Sequence, residues 1–252
     1  MSDNQFINKR IDSIYEYLKK HRRASIEELA KALYMSQSTI RRDLAEMQQL
    51  GMIARYHGGA MLRDGADELS IFTRLEKDAE RKQRVADTAV RHIPEFYSVF
   101  IDNSTTCLAL AQKLDLAGKL VITNGLQLAL QLSRRKDVQL VMPGGSVHFN
   151  TNALTGSMAT RMMRTFEPDL MLFSCAALSE RGIFERSLET TQLKQVAAEQ
   201  CRCRILIADE SKLNASATYR IAGPEDVDAV ITDAPDERIS ALKASGAHVL
   251  NM

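Results

Sequence analysis

The feature that most constrains the fold of this chain is an alternation of apolar runs with helical segments between residues 98 and 245. Most of the runs are four to seven residues long, and helical segments lie between several of them. Such alternation predicts an α/β fold with an open, mainly parallel sheet that helices cover on both faces. The runs that we interpret as strands are Ser98–Ile101, Leu120–Thr123, Val138–Met142, Leu170–Ala176, Ile205–Ala208 and Ala229–Thr232.

Ligands of such sheets bind beyond the carboxyl ends of the strands. The turns that follow the predicted strands are Asp102-Asn103-Ser104-Thr105-Thr106, Asn124-Gly125, Pro143-Gly144-Gly145, Asp209-Glu210-Ser211-Lys212 and Asp233. The first turn is rich in hydroxyl groups and opens a helix, where free N–H groups and the helix dipole favour an anion. A plain Ser/Thr helix cap explains the same residues equally well. No GxGxxG or GxxxxGK[ST] motif is present, which disfavours dinucleotide and P-loop nucleotide binding.

The first 62 residues show a different pattern, which predicts three short helices. The first helix has one apolar stripe, formed by Ile11, Ile14, Tyr15 and Leu18. The second begins at Ser25 with Glu28 three residues later, a capping-box pattern, and the third begins near Ser36. Because only Tyr34-Met35 joins the second helix to the third, the two are expected to cross, as in a helix-turn-helix.

The third helix has a polar face opposite its apolar one. At 100° per residue Ile40, Leu44 and Met47 share a narrow arc. The side chains predicted on the outer face near the N-terminal end are Gln37, Ser38, Thr39, Arg41 and Arg42. Such groups suit base edges and phosphates, and a recognition helix presents its N-terminal end to the major groove. The alternative is a solvated helix whose arginines pair with Asp43 and Glu46.

Residues 52–62, MIARYHGGAML, predict two short strands around a Gly-Gly turn after the helix-stop signal Leu50-Gly51. Three helices followed by a hairpin make a winged helix-turn-helix, in which Arg55, Tyr56 and His57 would lie beside a phosphate backbone. Charge agrees with this interpretation. The first 62 residues hold ten Lys or Arg and seven Asp or Glu, whereas the rest hold 23 and 25.

Residues 8–62 resemble the DNA-binding head of the DeoR family of bacterial regulators. The motifs that carry the resemblance are SIEELAKAL and MSQSTIRRDLAEMQQLGMIARYHGGA, above all TIRRDL followed by HGGA. The resemblance implies that Arg41 and Arg42 face a double-stranded DNA operator. The charged residues 63–78 are then expected to be a linker, and residues 79–252 an effector-sensing and oligomerisation domain.

The larger part also resembles the DeoR family, in its sensor domain, which is similar in fold to sugar-phosphate isomerases. The matching motifs are D-x-S-T-T, TN, GG and AD-x-SK. The effector-binding residues that the resemblance implies are Asp102, Ser104, Thr105, Thr106, Asn124, Gly144, Gly145, Glu189, Lys194 and Lys212. Residues 104–106 would cradle a sugar phosphate, the two lysines would supply positive charge, and Asp102, Asn124 and Glu189 would address hydroxyls. Departures from the family pattern at Asn103, Gln195 and Leu213-Asn214 leave the identity of the effector open.

Composition places the chain among ordinary globular proteins, with 45% hydrophobic and 26% charged residues. No charge-free apolar run approaches the roughly 20 residues that cross a bilayer, and the N-terminus is too polar for a secretory signal. We therefore expect a cytoplasmic protein with no membrane partner. The four cysteines show no metal-ligand spacing and are interpreted as small buried side chains, so no metal and no cofactor are expected.

Three functions fit these patterns. The first is a homo-oligomeric transcription regulator, a repressor of a carbohydrate catabolic operon that responds to a phosphorylated sugar. The second is a sugar-phosphate-converting enzyme with an appended DNA-binding domain, in which Asp102, Glu189 or Lys194 would act as base or polarising group. No nucleophile–base motif supports that alternative, so no catalytic residue is assigned. The third is a constitutive DNA-binding protein whose large domain only assembles the heads.

Overall fold

The computed structural model describes residues 2–49, 52–62, 71–148 and 151–251, with only the backbone described for residues 2–9, 12, 72, 73 and 214. The described residues fall into two compact units that divide between Lys77 and Asp78. Of the predicted linker, residues 63–70 lie outside the described residues, and Ile71–Glu76 form a helix, α4. None of the described helices has the length and apolar character needed to span a membrane.

The smaller unit is a winged helix-turn-helix, as predicted. Its elements before α4 are α1 (Ser2–His21), β1 (Arg23–Ser25), α2 (Ile26–Ala32), α3 (Gln37–Gln49), β2 (Ile53–Tyr56) and β3 (Gly59–Leu62). The strands form an antiparallel sheet in the order β1-β3-β2 within the described residues. Strand β1 was not predicted, because three residues with an exposed-buried-intermediate pattern carry no recognisable period and pair only with the distant β3.

The core of this unit follows the predicted stripes. The residues that share it include Ile11, Ile14, Tyr15, Leu18, Ile26, Leu29, Ile40, Leu44 and Met47. Both predicted helix starts are also present. The Ser25 hydroxyl accepts the N–H of Glu28 while the Glu28 carboxylate accepts the N–H of Ser25, and the Ser36 hydroxyl accepts the N–H of Thr39.

The HGGA motif has a steric explanation. Gly58 has φ +86°, in the left-handed region that favours glycine, and it turns β2 into β3 together with His57. Gly59 begins β3, where a Cβ atom would lie 2.5 Å from the Ala24 carbonyl oxygen and from the Tyr56 ring. The absence of a side chain at Gly59 therefore lets β1, β3 and the Tyr56 ring pack together.

We expect Gly59→Ala to destabilise the smaller unit by about 1–3 kcal/mol, because backbone or ring must move to relieve the contact. Thermal unfolding followed by circular dichroism would measure the change. Met61→Ala is the matched control, since Met61 is in the same strand and 45% exposed. Equal melting temperatures for the two variants would contradict the steric explanation.

The larger unit is built around a parallel sheet, as predicted. Its elements are α5 (Ala79–Val90), β4 (Ser98–Ile101), α6 (Thr105–Ala111), β5 (Leu120–Thr123), α7 (Leu126–Leu132), β6 (Gln139–Val141), β7 (Ser146–His148), β8 (Ala153–Thr155), α8 (Ser157–Met163), β9 (Leu170–Phe173), β10 (Ala177–Ser179), β11 (Gly182–Glu185), α9 (Leu188–Gln200), β12 (Cys203–Ile207), β13 (Tyr219–Ala222), β14 (Ala229–Thr232), α10 (Asp236–Ala244) and β15 (Val249–Asn251). As described, the main sheet has seven strands in the order β15-β14-β12-β9-β4-β5-β6, all paired in parallel.

This strand order contains a topological switch point. From β4 the chain proceeds outward through β5 and β6, then returns to the other side of β4 with β9 and continues outward through β12, β14 and β15. In such sheets the crevice at the carboxyl ends of the two central strands is the preferred ligand position. Here the central strands are β4 and β9, which Asp102 and Ser174 directly follow.

Two smaller sheets and the edge strand β15 were not predicted. Strands β7 and β8 form an antiparallel pair, and β10, β11 and β13 form a second antiparallel sheet. Most of these strands are three or four residues long, so a hydrophobic period has little room to show. Both small sheets lie in segments that follow the carboxyl ends of main-sheet strands, where they add residues to that edge.

Candidate functional site

The N-terminal end of α3 is exposed. Gln37, Ser38, Arg41 and Arg42 are exposed and Thr39 is half-buried. The Arg41 guanidinium donates a hydrogen bond to the Gln37 side-chain oxygen at 3.1 Å. The Ser36 hydroxyl lies 2.8 Å from the hydroxyls of both Ser38 and Thr39. The face therefore combines hydrogen-bonding groups with two cations, as base edges and phosphates require.

Asp43 does not neutralise these arginines. It lies on the inner side of α3, where its side chain is 1% exposed, and it pairs with Arg10 of α1. The Arg10 Nε and Nη2 atoms donate to the two Asp43 oxygens at 2.9 and 3.0 Å. Among the ion pairs of the described residues, none joins Arg41 or Arg42 to a carboxylate.

The wing presents the other predicted DNA-contacting residues. Arg55, Tyr56 and His57 are exposed at the end of β2 and in the turn that follows it. Tyr56 keeps 43% of its surface exposed although its ring covers Gly59. A guanidinium, a phenol and an imidazole at one hairpin tip form a surface suited to a phosphate backbone.

In the larger unit, Asp102 organises the turn at the switch point. One of its oxygens accepts the N–H of Ser104 at 2.9 Å, and the other accepts the N–H of Ser174 at 3.0 Å. Ser104 in turn caps α6, because its hydroxyl accepts the N–H of Cys107. Asp102 thus ties the ends of β4 and β9 together and has no exposed side-chain surface.

Lys194 reaches the same place from α9. Its ammonium lies 2.8 Å from an Asp102 oxygen, 2.6 Å from a Glu185 oxygen and 2.7 Å from the Ser174 carbonyl oxygen. The three N–H donors of the ammonium are therefore matched by three protein acceptors. Its side chain is 3% exposed, so Lys194 belongs to a buried ion triad with Asp102 and Glu185.

The triad perturbs the ionisation of its members. Burial by itself would raise the pKa of Asp102, but the Lys194 ammonium and the hydrogen bonds from Ser104 and Ser174 lower it below its ordinary 3.8. Burial likewise opposes the charged form of Lys194, yet Asp102 and Glu185 together raise its pKa above the ordinary value. Asp102 and Lys194 therefore stay ionised, and the side chain of Glu185 contacts the same ammonium.

Across the described part of the chain, three buried side-chain atoms lack a hydrogen-bond partner: Asn124 Oδ1, Ser174 Oγ and Asp209 Oδ2. They follow β5, β9 and β12 and so lie at the carboxyl edge of the main sheet. An unpartnered polar atom is costly in a protein interior, where the large majority are paired. Their position at one edge indicates a surface completed by a ligand or by water.

The other predicted effector residues lie around this edge. Thr105 and Thr106 are buried in the first turn of α6, where a helix provides no acceptors for its N–H groups. Lys212 is 24% exposed, and its ammonium lies 3.9 Å from Asp209 Oδ2. Glu189 is exposed in the first turn of α9 and accepts a hydrogen bond from the Ser187 hydroxyl.

Gly144 and Gly145 form the turn after β6, with φ +66° and +111°. A Cβ at Gly145 would lie 2.5 Å from the Thr155 carbonyl oxygen, so this turn packs closely on β8. The side-chain nitrogen of Asn124 donates a hydrogen bond to the Leu154 carbonyl oxygen at 3.3 Å, whereas the Oδ1 atom of Asn124 has no hydrogen-bond partner. The β7–β8 hairpin thus borders the site beside β5 and β6.

Sequence reasoning did not identify Ser174 and Glu185. Both interrupt otherwise apolar segments, Ser174 within the predicted strand 170–176 and Glu185 at the end of GIFE. An acidic residue in a buried strand requires a cation, and that requirement was a usable signal. That cation is Lys194, nine residues further on, but Asp102, the other carboxylate of the triad, lies 92 residues before Lys194 and meets it only in the folded chain.

The cysteines are free thiols, and Cys107, Cys175 and Cys201 are buried. Burial raises the pKa of Cys175 and of Cys201 to about 12, so neither forms a reactive thiolate near neutral pH. Among the described residues, no cluster of three His, Cys, Asp or Glu side chains is arranged to hold a metal ion.

A cavity of about 400 Å³ lies elsewhere in this unit. Residues of α9 and β13, including Gln195, Glu199 and Ile221, line it with Arg204 and Asp226. None of the predicted effector residues is in its lining. We place the candidate site at the strand ends, where the unpartnered atoms are, and not in this cavity.

Comparison with known proteins shows that both units match domains of one family. Residues 10–65 match the DeoR-like helix-turn-helix domain, and residues 77–234 match the DeoR C-terminal sensor domain. The chain is 30% identical to the HTH-type transcriptional regulator GolR of Listeria innocua, covering 89% of each chain. It is also 30% identical to the glycerol-3-phosphate regulon repressor of Escherichia coli, covering 90% of each. Among solved structures, ribose 5-phosphate isomerase A of Methanocaldococcus jannaschii aligns with 54% of this chain and 55% of its own at 13% identity, with a TM-score of 0.37. The chain belongs to the DeoR family of transcriptional regulators.

Proposed function

We propose that this protein represses a carbohydrate catabolic operon and that a phosphorylated sugar changes its affinity for the operator. The observation that carries the effector proposal is the set of unpartnered buried atoms beside the switch point. Relatives support the same function, since the Escherichia coli relative is a glycerol-3-phosphate regulon repressor.

The chemistry of the site indicates which of its groups would bind the sugar part of such a ligand and which would bind the phosphate. Asn124 Oδ1 and Asp209 Oδ2 are acceptors, so they require donors such as sugar hydroxyls, and the Ser174 hydroxyl can accept or donate. The N–H groups of Thr105 and Thr106, at the start of α6, and the ammonium of Lys212 suit a phosphate. Asp102 and Lys194 then support the site without contacting the ligand, because protein groups already occupy their polar atoms.

The same geometry disfavours an enzyme. An isomerase needs a base that reaches its substrate, yet Asp102 is fully covered and its pKa is lowered, which makes it a weak base. Lys194 is held protonated by two carboxylates. We therefore infer that the sensor binds its sugar phosphate without converting it. Incubation of the protein with a stabilising sugar phosphate, followed by chromatography, should recover the ligand unchanged.

We further propose that the protein acts as a homo-oligomer, so that two heads reach two half-sites of one operator. The effector can release DNA only by binding more tightly to the arrangement that does not fit the operator. A tenfold loss of operator affinity corresponds to about 1.4 kcal/mol of coupling. Light scattering with and without the ligand would show whether the coupling acts through assembly.

The effector proposal is tested by thermal unfolding of the full chain with sugars offered in free and phosphorylated form. A ligand at about 100 times its Kd stabilises a protein by roughly 2.7 kcal/mol. We expect stabilisation by phosphorylated sugars alone, and we expect Lys212→Met to lose most of it because the variant lacks the cation for the phosphate. The stabilising compound should also change operator affinity.

Lys243→Met is the matched control. Lys243 is a surface lysine of α10 that pairs with Asp236, and its loss should leave ligand binding unchanged. Equal stabilisation by the free and phosphorylated forms of a sugar would contradict phosphate recognition. Stabilisation by no compound, with DNA affinity constant, would favour the large domain as an assembly device only.

A further inference from the structure

Asp43 is an unusual residue for the inner face of a recognition helix. It lies in the same buried arc as Ile40, Leu44 and Met47, all of which have no exposed surface. A charged side chain in such an arc must be paired, and Arg10 pairs with it through two hydrogen bonds at 2.9 and 3.0 Å. This contact joins α1 to α3 across 33 residues of sequence.

Stability alone does not account for the pair. The pair is part-buried, with the Arg10 side chain 23% and the Asp43 side chain 1% exposed, and replacing an ion pair shielded from water by apolar side chains of similar size is often neutral or even stabilising. A guanidinium and a carboxylate joined by two parallel hydrogen bonds do, however, fix an orientation, whereas apolar packing is non-directional. The pair therefore restricts how α3 can rotate against α1.

Rotation of α3 matters because Arg42 is the neighbour of Asp43 in sequence and Arg41 precedes it. Side chains extend a helix to a radius of about 5–6 Å, so a rotation of about 20° moves their ends by about 2 Å. Hydrogen bonds to base edges tolerate only a few tenths of an ångström in donor–acceptor distance. A helix free to rotate by that amount would keep its charge near the phosphates but would lose its contacts to bases.

We propose that the Arg10–Asp43 ion pair is a specificity-determining, positioning contact that fixes the rotation of the recognition helix on operator DNA. The inference rests on DNA binding by α3. Pairing with Arg10 also withdraws Asp43 from Arg41 and Arg42, so both guanidinium groups stay available to DNA. Arg10 needs no contact of its own with the duplex.

The test uses the full chain and two 30-bp duplexes, one selected by the wild-type protein from a random pool and one with the same bases shuffled. In Arg10→Lys the charge stays but the paired geometry is lost, since an ammonium is a point donor. We expect this variant to bind the selected duplex about tenfold more weakly and the shuffled duplex within about twofold of wild type. Lys19→Met, which removes an exposed cation of α1 paired with Glu16, is the control and should bind both duplexes with wild-type affinity.

The double variant Arg10→Met/Asp43→Leu separates positioning from stability. We expect the double variant to melt at or above the wild-type temperature. Its affinity for the selected duplex should nevertheless fall by about the same factor as that of Arg10→Lys. Wild-type discrimination between the duplexes in Arg10→Lys would overturn the proposal, and so would equal losses on both duplexes. If the double variant does not fold, Arg10→Lys alone decides, with its melting temperature recorded beside its affinities.

Discussion

Replacing Arg41 and Arg42 together by alanine is expected to weaken operator binding by about 100-fold or more, because each arginine contact to a base or phosphate contributes roughly 1–3 kcal/mol. Both side chains are exposed, and neither has a carboxylate partner among the described residues. Their removal should therefore cost the smaller unit little stability. Alanine is also the better helix former. Binding of the effector should be unchanged.

Fluorescence anisotropy with a labelled operator, repeated at several salt concentrations, would measure the loss. The slope of log affinity against log salt should become shallower by about one for each phosphate contact removed. Replacing Arg134 and Lys136 together by alanine removes the same two charges from exposed turn positions of the larger unit and controls for net charge. Operator affinity within twofold of wild type in the double variant would show that α3 is a solvated helix.

The smaller unit could be predicted almost entirely because its signals are local. The capping box at Ser25, the N-cap at Ser36 and the stripe that includes Leu18 each lie within a few residues of one another. What could not be predicted were strand β1 and the partner of Asp43. The sequence offered Arg41 and Arg42 one or two residues away, but the helix directs Asp43 to the opposite side, where Arg10 lies.

The parallel sheet could be predicted for a related reason. Strands such as β4, β5 and β14 are covered on both faces, so each is a continuous apolar run, and the structure gives these three the predicted bounds. The small antiparallel strands β10, β11 and β13 have mixed burial, and although β10 and β11 pair across a short turn, β13 pairs with β11 from far along the chain. Their hydrophobic patterns are too short to distinguish them from loops.

For the sensor site, the sequence indicated the edge and the turn but not which side chains remain available to a ligand. The motif around Asp102 directly follows β4, the first strand of the main sheet, as the predicted strand bounds imply. Whether a conspicuous lysine faces solvent or the interior depends on long-range pairing. The family resemblance implies that Lys194 supplies charge to a ligand. Its contacts with Asp102 and Glu185 lead to a different expectation.

Lys194→Met is expected to destabilise the larger unit by about 3–5 kcal/mol, because it leaves two buried carboxylates without their cation. For a unit of this size the melting temperature should fall by roughly 10 °C. Lys113→Met is the matched control. Lys113 pairs with Asp87 at the surface, and such pairs contribute about 0–1 kcal/mol. Adding Glu185→Gln to Lys194→Met should recover part of the loss, since one unpaired charge is removed.

The pH dependence gives the sharper test, because mild acid should change the stability of Lys194→Met but hardly that of the wild type. In the wild type the pKa of Asp102 is lowered, so its contribution is present above the ordinary value of 3.8 and is lost only as the pH falls through the folded-state pKa. The raised pKa of Lys194 adds a contribution that is present at all lower pH and is lost only in strong alkali. Without the ammonium, burial becomes the dominant effect on Asp102 and should raise its pKa, so protonation of Asp102 should reduce the destabilisation of the variant as the pH falls. Thermal unfolding between about pH 8 and about pH 5 should therefore give a nearly constant melting temperature for the wild type. The deficit in melting temperature of Lys194→Met relative to the wild type should shrink as the pH falls. A deficit that stays constant across this range would mean that the loss comes from packing around Lys194 and not from the unpaired charges.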